Sequence, residues 1–204
     1  MNNLFSLVSG SHQNRIGIYG PPNAGKSTLA NRITNDFTGE TFSGESAIPH
    51  ETRRTHRKED ITIKSDSGAS VTIDIVDTPG VDTKIDKDDF IDLGMDSNDA
   101  VRRSREATEG IASAMRWLKT DIDGVIYVLD STKDPFTHTN TMILGIIESQ
   151  DIPVLVFANK TDKEGSDVAR IVNAFPNHET TQISALEGEN MDQAYQNITR
   201  KFGR

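Results

Sequence analysis

The sequence predicts an α/β fold, with a doubly wound, six-stranded, mostly parallel sheet that has one antiparallel edge strand and helices on both faces. Two observations lead to this prediction. Short apolar runs of strand length alternate along the chain with amphipathic segments of helical period, as in successive β-α-β units. Polar segments rich in Gly, Asp and Asn follow three of these runs directly, which is where open α/β sheets bind ligands.

The first half of the chain contains three predicted strands and one helix. Residues 15–19 form an apolar run that predicts a buried strand, and residues 26–34 predict the helix after it. Residues 35–57 are polar and without period, so they predict a loop too long to be a simple connection. Residues 61–64 and 71–76 alternate apolar and polar side chains around a Ser-Asp-Ser-Gly turn, which predicts an antiparallel hairpin.

The second half begins with another polar loop, rich in Asp, at residues 81–98. Residues 99–119 then predict a long helix, because their apolar side chains recur on one face. The remaining predicted elements are a strand at 125–129, a helix at 139–149, a strand at 153–158, a helix at 166–175 capped by Ser166, a strand at 180–184 and a helix at 191–202. We therefore expect residues 1–14 to be an N-terminal arm and residues 15–204 to form one domain.

Composition excludes several classes of protein. Cysteine is absent, which rules out disulfides and thiolate metal sites. No apolar run approaches the roughly 20 residues that cross a bilayer. The first residues lack the basic-then-apolar pattern of a signal peptide and carry Asn at position 2, so we expect neither a signal peptide nor N-myristoylation. The net charge of −9 predicts no DNA partner, whereas a local basic patch would still allow RNA or ribosome binding. We expect a cytoplasmic protein.

The N-terminal arm offers a second localisation. Apolar side chains within residues 1–9 would suit peripheral contact with a membrane. This stretch has no Lys or Arg to attract anionic lipid, so packing on the domain or disorder is favoured.

The most informative motif is Gly20-Pro-Pro-Asn-Ala-Gly-Lys-Ser27, which matches the phosphate-binding pattern G-x-x-x-x-G-K-S/T between a predicted strand and helix. Its glycines let several backbone N–H groups converge on phosphate oxygens, and the helix N-terminus behind them adds positive potential. Lys26 would neutralise the β- and γ-phosphates, and the Ser27 hydroxyl would hold Mg²⁺. The motif predicts a nucleotide site without specifying the base.

Two later motifs specify the base and complete the metal site. Asp77-Thr-Pro-Gly80 ends a predicted strand, where Asp77 would hold Mg²⁺ through water and the Gly80 N–H would face the γ-phosphate. Asn159-Lys-Thr-Asp162 ends another strand, where the Asp162 carboxylate would accept two hydrogen bonds from the N1–H and 2-amino edge of guanine. Adenine does not present that edge, and an unmatched buried polar edge is a strong source of selectivity. The predicted ligands are GTP and GDP.

With these motifs the chain resembles the Era-like small GTPases of the translation-factor-related class, and residues 48–54, 105–110 and 123–130 resemble the archaeal branch. The resemblance implies a phosphate-loop GTPase domain. It also implies that Ser184-Ala-Leu186 completes the base site, with the Ala185 N–H meeting guanine O6. Bacterial Era continues into an RNA-binding KH domain, and this chain stops at Arg204, so we expect none here. The nucleotide-binding candidates are Gly20, Pro21, Asn23, Ala24, Gly25, Lys26, Ser27, Thr28, Asp77, Gly80, Asn159, Lys160, Asp162, Ser184, Ala185 and Leu186.

The resemblance makes the two long polar loops the moving parts of a switch. In the family a threonine of the first loop binds Mg²⁺ only while the γ-phosphate is present. Thr52 and Thr55 both qualify, and Thr52 is favoured because Arg53 follows it. An unknown effector protein would read the ordered loops. The metal-ligand candidates are Ser27, Thr52 and Asp77.

The motifs do not by themselves identify the group that would orient the attacking water. Val81 stands where Ras-like enzymes carry a glutamine that orients the attacking water, and valine cannot hydrogen-bond water. Asn23 occupies the position at which related GTPases bind potassium, although an asparagine there also serves to brace the loop. His50 and Glu51 are weaker candidates to act on the water. The catalytic candidates are Lys26, Thr52, Gly80 and Asn23.

Two readings of function remain at this stage. The first is a GTP-binding switch that hydrolyses GTP slowly with Mg²⁺, and with potassium as a further cofactor. The second, which Val81 supports, is a nucleotide-binding scaffold with negligible turnover. Two charged clusters are interpreted as solvated surface and not as sites: Arg102, Arg103 and Arg105, and Asp86, Asp88, Asp89 and Asp92.

Overall fold

The computed structural model describes residues 14–41, 56–78, 96, 115–116, 118 and 121–203. Its strands are β1 (Asn14–Tyr19), β2 (His56–Lys64), β3 (Ser70–Asp77), β4 (Gly124–Asp130), β5 (Val154–Asn159) and β6 (Thr180–Gln182). Its helices are α1 (Lys26–Thr38), α2 (His138–Glu148), α3 (Val168–Ala174) and α4 (Met191–Phe202), and Met115, Arg116 and Leu118 are also helical.

The six strands form a single sheet in the order β2-β3-β1-β4-β5-β6. The edge strand β2 runs antiparallel to β3, and the other four pairings are parallel. This arrangement confirms the predicted mixed sheet with one antiparallel edge strand. Because β1 lies at the centre between β3 and β4, the loop that follows it opens at the middle of the sheet's carboxyl edge.

Apolar side chains cover both faces of the sheet, as parallel strands require. One core cluster places Ile16 and Ile18 of β1 with Leu29 and Ile33 of α1, and it extends to α4. The other packs Tyr127 of β4 among residues of α2, α3 and the helical position Leu118. The helices on both faces therefore hold the strand ends in fixed positions. Within the described residues, no helix has the length and apolarity needed to cross a bilayer.

Helix α1 is one turn longer than predicted and ends at Thr38 instead of residue 34. The extra turn carries Phe37, which packs against the core and meets the Tyr195 ring edge-on at a centroid distance of 4.8 Å. Gly39 then ends the helix in a left-handed conformation, with its N–H donating to the Asn35 carbonyl. The polar residues of this turn gave no sign of the contact between Phe37 and Tyr195 of α4.

Strand β2 begins at His56, five residues earlier than the predicted strand at 61–64, so residues 56–57, which were predicted to be loop, belong to the strand. An irregular register between Lys58 and Ile61 breaks the alternation that marks a strand in the sequence. Asp60 adopts a positive φ of 61° there, and its N–H donates to the buried carboxylate of Asp74 at 3.0 Å. Arg57 donates to the same carboxylate at 2.6 Å. The bulge is therefore held by a polar contact that periodicity does not reveal.

Two smaller predictions at the second half of the sheet are wrong. Asp167, not Ser166, caps α3, because its carboxylate accepts from the Arg170 N–H while the Ser166 hydroxyl donates to Ser131. Strand β6 ends at Gln182, two residues before the predicted end at Ser184, because the chain turns into the loop that closes the site. The predicted arm lies outside the described residues except for Asn14, which is the first residue of β1.

Candidate functional site

The phosphate-loop motif forms a tight turn between β1 and α1, as its sequence predicts. Gly20 has a φ of +145°, and a Cβ there would lie 2.1 Å from the Val128 carbonyl oxygen. Gly25 has a φ of +94°, and a Cβ there would lie 2.2 Å from Nδ2 of Asn159. Asn23 is also left-handed, with a φ of 58°. Both glycines are thus required by backbone conformation and by close approach of a neighbouring segment.

Lys26 lies in the first turn of α1, beneath the loop that precedes it. Its side chain is 5% exposed, and Nζ donates to the Pro21 carbonyl at 2.9 Å. Burial lowers the pKa of Lys26 to about 8, with the positive charge of Lys160 acting in the same direction and Asp77 opposing it. A buried cation folded back on its own loop is poised to turn towards phosphate oxygens.

The two described metal-ligand candidates are in direct contact. The Ser27 hydroxyl donates to Oδ2 of Asp77 at 2.8 Å, although the residues are 50 positions apart. Asp77 is fully buried at the end of β3, and the next residue, Thr78, ties this end to β1 by donating to the Ile18 carbonyl at 2.6 Å. A hydroxyl and a carboxylate at one point are hard oxygen ligands that suit Mg²⁺. The residues present therefore fit the predicted metal.

Asn159 joins the predicted phosphate and base segments. Its side chain is 2% exposed; Nδ2 donates to the Ala24 carbonyl at 2.8 Å, and Oδ1 accepts from the Ala185 N–H at 3.0 Å. One amide thus fixes the phosphate loop and the loop after β6 relative to β5. The Ala185 N–H, predicted from the family resemblance to meet guanine O6, makes its hydrogen bond to this side chain, so its role towards the base stays a prediction.

Lys160 links the phosphate loop to the end of β4. It has a left-handed φ of 66°, and Nζ donates to the Asn23 carbonyl at 2.5 Å and to Oδ2 of Asp130 at 2.7 Å. Thr132 donates to the other oxygen of Asp130 through its N–H and its hydroxyl. Burial raises the pKa of Asp130, and the hydrogen bonds from Lys160 and Thr132 outweigh it, so the net shift is downwards. The carboxylate therefore stays charged beside Lys160.

Asp130 contacts the candidate site through Lys160, and sequence reasoning did not predict it there. It lies at the carboxyl end of β4, directly opposite Asn159 in the parallel register. A signal was present, since an acidic residue ended a wholly apolar strand. Its function depends on the position of Lys160, which only the sheet register supplies.

The base side of the site combines an exposed carboxylate with a compact loop. Asp162 is exposed, and within the described part of the chain its side chain makes no hydrogen bond or ion pair. Ser184 is fully buried, whereas the Leu186 side chain is 58% exposed. Thr28 and Leu186 both line a cavity of about 400 Å³ between α1 and this loop. Leu186 thus lies beside α1, the helix that follows the phosphate loop.

Several predicted residues cannot be placed in this geometry. Thr52, Thr55, Gly80 and Val81 lie outside the described residues, as do His50, Glu51, Arg102, Arg103, Arg105, Asp86, Asp88, Asp89 and Asp92. Their roles stay predictions. The described part of the site contains the phosphate loop, the Ser27–Asp77 pair and the two base segments.

Comparison with known proteins gives consistent matches. A family model described as 50S ribosome-binding GTPase matches residues 15–160. The GTPase Era of Pseudomonas aeruginosa is 31% identical over 192 residues, which are 91% of this chain and 53% of that protein. The GTPase Era of Azotobacter vinelandii is 32% identical over 183 residues, 87% of this chain and 51% of that protein. The chain therefore spans about half the length of these curated relatives.

Among solved structures, Aquifex aeolicus Era bound to GDP·AlF4⁻ superposes with a TM-score of 0.68 at 24% identity, covering 92% of this chain and 56% of that chain. A structure of Era in complex with MgGDPNP and nucleotides 1506–1542 of 16S ribosomal RNA gives the same TM-score, identity and coverage. At this level of identity the superpositions establish a common fold.

Proposed function

The chain belongs to the 50S ribosome-binding GTPase family, and from that premise we propose that it is a molecular switch that binds GTP with Mg²⁺ and hydrolyses it to GDP and phosphate. The observation that carries this proposal is the meeting of four segments at one edge of the sheet. Ser27 touches Asp77, and Asn159 joins Ala24 to Ala185. The residues predicted to bind phosphate, metal and base are thus connected by direct hydrogen bonds.

Guanine selectivity would come from Asp162 and Ala185, the residues predicted to contact the base. The exposed Asp162 carboxylate would accept from N1–H and the 2-amino group of guanine, and the Ala185 N–H would serve O6 as a donor shared with Oδ1 of Asn159. The buried Asn159 keeps both segments at a fixed distance from the phosphate loop. Calorimetric titration with GDP, GTP and ATP tests the assignment. Equal affinity for ATP and GTP would contradict it.

Phosphate binding comes from the loop amides, Lys26 and the N-terminus of α1. Lys26 would exchange its contact with the Pro21 carbonyl for the β- and γ-phosphates. The Ser27 hydroxyl and Thr52, with Asp77 acting through water, would hold Mg²⁺. The bound metal would neutralise charge that develops on the phosphates during transfer to water. The Gly80 N–H would face the γ-phosphate.

Hydrolysis is proposed to be slow, because Val81 cannot orient the attacking water. Asn23 is exposed in the phosphate loop, and its carbonyl already accepts from Lys160, which leaves its side-chain oxygen for a potassium ion beside the phosphates. Single-turnover hydrolysis in potassium and in sodium at equal ionic strength tests this role. Potassium should raise the rate, and Asn23→Ala should remove the difference while GTP affinity stays within roughly tenfold. Equal rates in the two salts would eliminate the cation and favour a group supplied by a partner.

The switch is proposed to act in the cytoplasm on an effector protein that reads the two long loops in the GTP state. The segments at residues 48–54, 105–110 and 123–130 support a place in the archaeal Era-like branch. Ribosomal RNA is the alternative partner, since an Era of the same fold is known in complex with 16S ribosomal RNA. The net charge of −9 favours the protein partner. Recovery of RNA, and of no protein, by the GTP-loaded form would reverse this choice.

A scaffold with negligible turnover is the second candidate function, and Val81 is the observation that favours it. The single-turnover assay separates the two candidates. Release of one phosphate per bound GTP supports the switch. Bound GTP that persists in both salts supports the scaffold.

A further inference from the structure

The loop of residues 184–189 is closed largely by its own hydrogen bonds. The Ser184 carbonyl accepts from the Gly188 and Glu189 N–H groups at 2.8 and 3.1 Å, and the Ser184 N–H donates to the Glu189 carbonyl at 3.1 Å. The Ser184 hydroxyl accepts from the Glu187 N–H at 3.2 Å. These internal bonds do not use the carbonyls of Ala185 and Leu186, which turn towards α1.

Arg32 of α1 provides the donors for both carbonyls. Its Nε donates to the Ala185 carbonyl at 3.1 Å, and Nη2 donates to the Leu186 carbonyl at 2.7 Å. Gly188 has a φ of +78°, a conformation that favours glycine, and the loop there lies against the guanidinium, since a Cβ would be in van der Waals contact with Cζ of Arg32 at 3.5 Å. A planar fork of charged donors fixes the orientation of two successive peptide groups, which one point charge cannot do.

The Arg32 guanidinium also has a carboxylate partner on its own helix. Asp36, one turn later on α1, forms an ion pair with Arg32 at 3.8 Å and accepts from the Tyr195 hydroxyl at 2.5 Å. Burial raises the pKa of Tyr195, so this hydroxyl remains a donor. Phe37 packs on the Tyr195 ring. Helices α1 and α4 together hold Arg32 against the loop.

We propose that Arg32 is a positioning residue for guanine recognition. By holding the carbonyls of Ala185 and Leu186, it fixes the two peptide groups that directly follow the Ala185 N–H, from the same helix that carries Lys26 and Ser27. The inference rests on the proposed function, because it assumes that the Ala185 N–H serves guanine O6. Arg32 touches neither the base nor the phosphates in this role. It couples the base loop to the helix that begins at the phosphate loop.

The test compares nucleotides that differ at one edge of the base. GDP and 6-thio-GDP differ only at position 6, which the Ala185 N–H serves. GDP and IDP differ only in the 2-amino group, which Asp162 serves on a different loop. Affinities are measured by calorimetry for the unmodified protein, Arg32→Met, Arg32→Lys and the control Arg200→Met. Arg200 is an exposed arginine at the far end of α4 that pairs with Glu179.

Arg32→Met should lower the preference for GDP over 6-thio-GDP by roughly fivefold, the factor expected when one oriented hydrogen bond is lost. Its preference for GDP over IDP should stay unchanged. Arg32→Lys, which keeps the charge and loses the fork, should fall between Arg32→Met and the unmodified protein. Arg200→Met should keep both preferences.

An unchanged preference for GDP over 6-thio-GDP in Arg32→Met, with or without a lower melting temperature, would overturn the inference and leave Arg32 a purely structural residue. If Arg32→Met does not fold, Asp36→Asn decides the matter, since it removes the charge that orients the guanidinium and keeps an acceptor for Tyr195. It should give the same change in smaller degree. Failure of the unmodified protein to bind GDP would instead refute the proposed function.

Discussion

Replacement of Asn159 by alanine should damage both the stability of the domain and its affinity for guanine nucleotide. The side chain is 2% exposed and satisfies two backbone groups, the Ala24 carbonyl at 2.8 Å and the Ala185 N–H at 3.0 Å. Alanine removes both partners and leaves a small void between the phosphate loop and the base loop. The two loops then lose their common support.

The magnitude follows from the two abandoned groups. Each buried backbone group left without a partner costs about 1–3 kcal/mol, so the free energy of unfolding should fall by about 2–6 kcal/mol for the two groups. For a chain of this size, each kcal/mol corresponds to about 2–4 °C, so the melting temperature should fall by about 4–24 °C. Affinity for GDP should fall at least tenfold, or about 1.4 kcal/mol, because binding must now order both loops.

The assay is urea unfolding of the nucleotide-free protein together with calorimetric titration of GDP. Asn197→Ala is the matched control, because Asn197 is also a buried asparagine and donates to Thr181 at 2.7 Å between α4 and β6. It should lower stability and leave GDP affinity within about twofold. A normal GDP affinity for Asn159→Ala, or the same loss in Asn197→Ala, would refute the view that Asn159 frames the site.

Three further substitutions test separate parts of the site. Asp162→Asn should weaken GDP by about 2–4 kcal/mol and favour xanthine nucleotide, because an amide can donate to the added oxygen; calorimetry with GDP and XDP checks this reversal. Gly20→Ala should abolish nucleotide binding, because its Cβ would lie 2.1 Å from a carbonyl oxygen of β4, whereas Gly145→Ala, with nothing within 4 Å, should bind GDP normally. Asp130→Asn should weaken GDP roughly tenfold by taking the counter-charge from Lys160, and stopped-flow release of a fluorescent GDP should show faster dissociation; an unchanged release rate would mean that Lys160 needs no partner.

The sequence by itself determined the fold class and the location of the site. Alternating apolar runs and helical periods predicted the mixed sheet, and the structure confirms it with β2 as the antiparallel edge strand. The phosphate-loop glycines were identifiable because part of their requirement is local, in the backbone conformations that only glycine adopts readily; the close approach of β4 and Asn159 is visible only in the structure. Lys26, Ser27 and Asp162 were predicted as site residues because each stands at a fixed place in a short motif. In all of these the physical cause acts over a few neighbouring residues.

Tertiary structure decided the positions that support the site. Arg32 meets the Ala185 carbonyl across 153 positions, and the Tyr195 hydroxyl meets Asp36 across 159. Asp130 acquires its partner Lys160 only because β4 and β5 lie side by side in a particular register. The additional turn of α1 and the bulge in β2 depend in the same way on residues of distant elements. Such contacts carry no local signal, since a polar residue on a helix is equally compatible with solvent until packing brings a buried carbonyl or carboxylate to it.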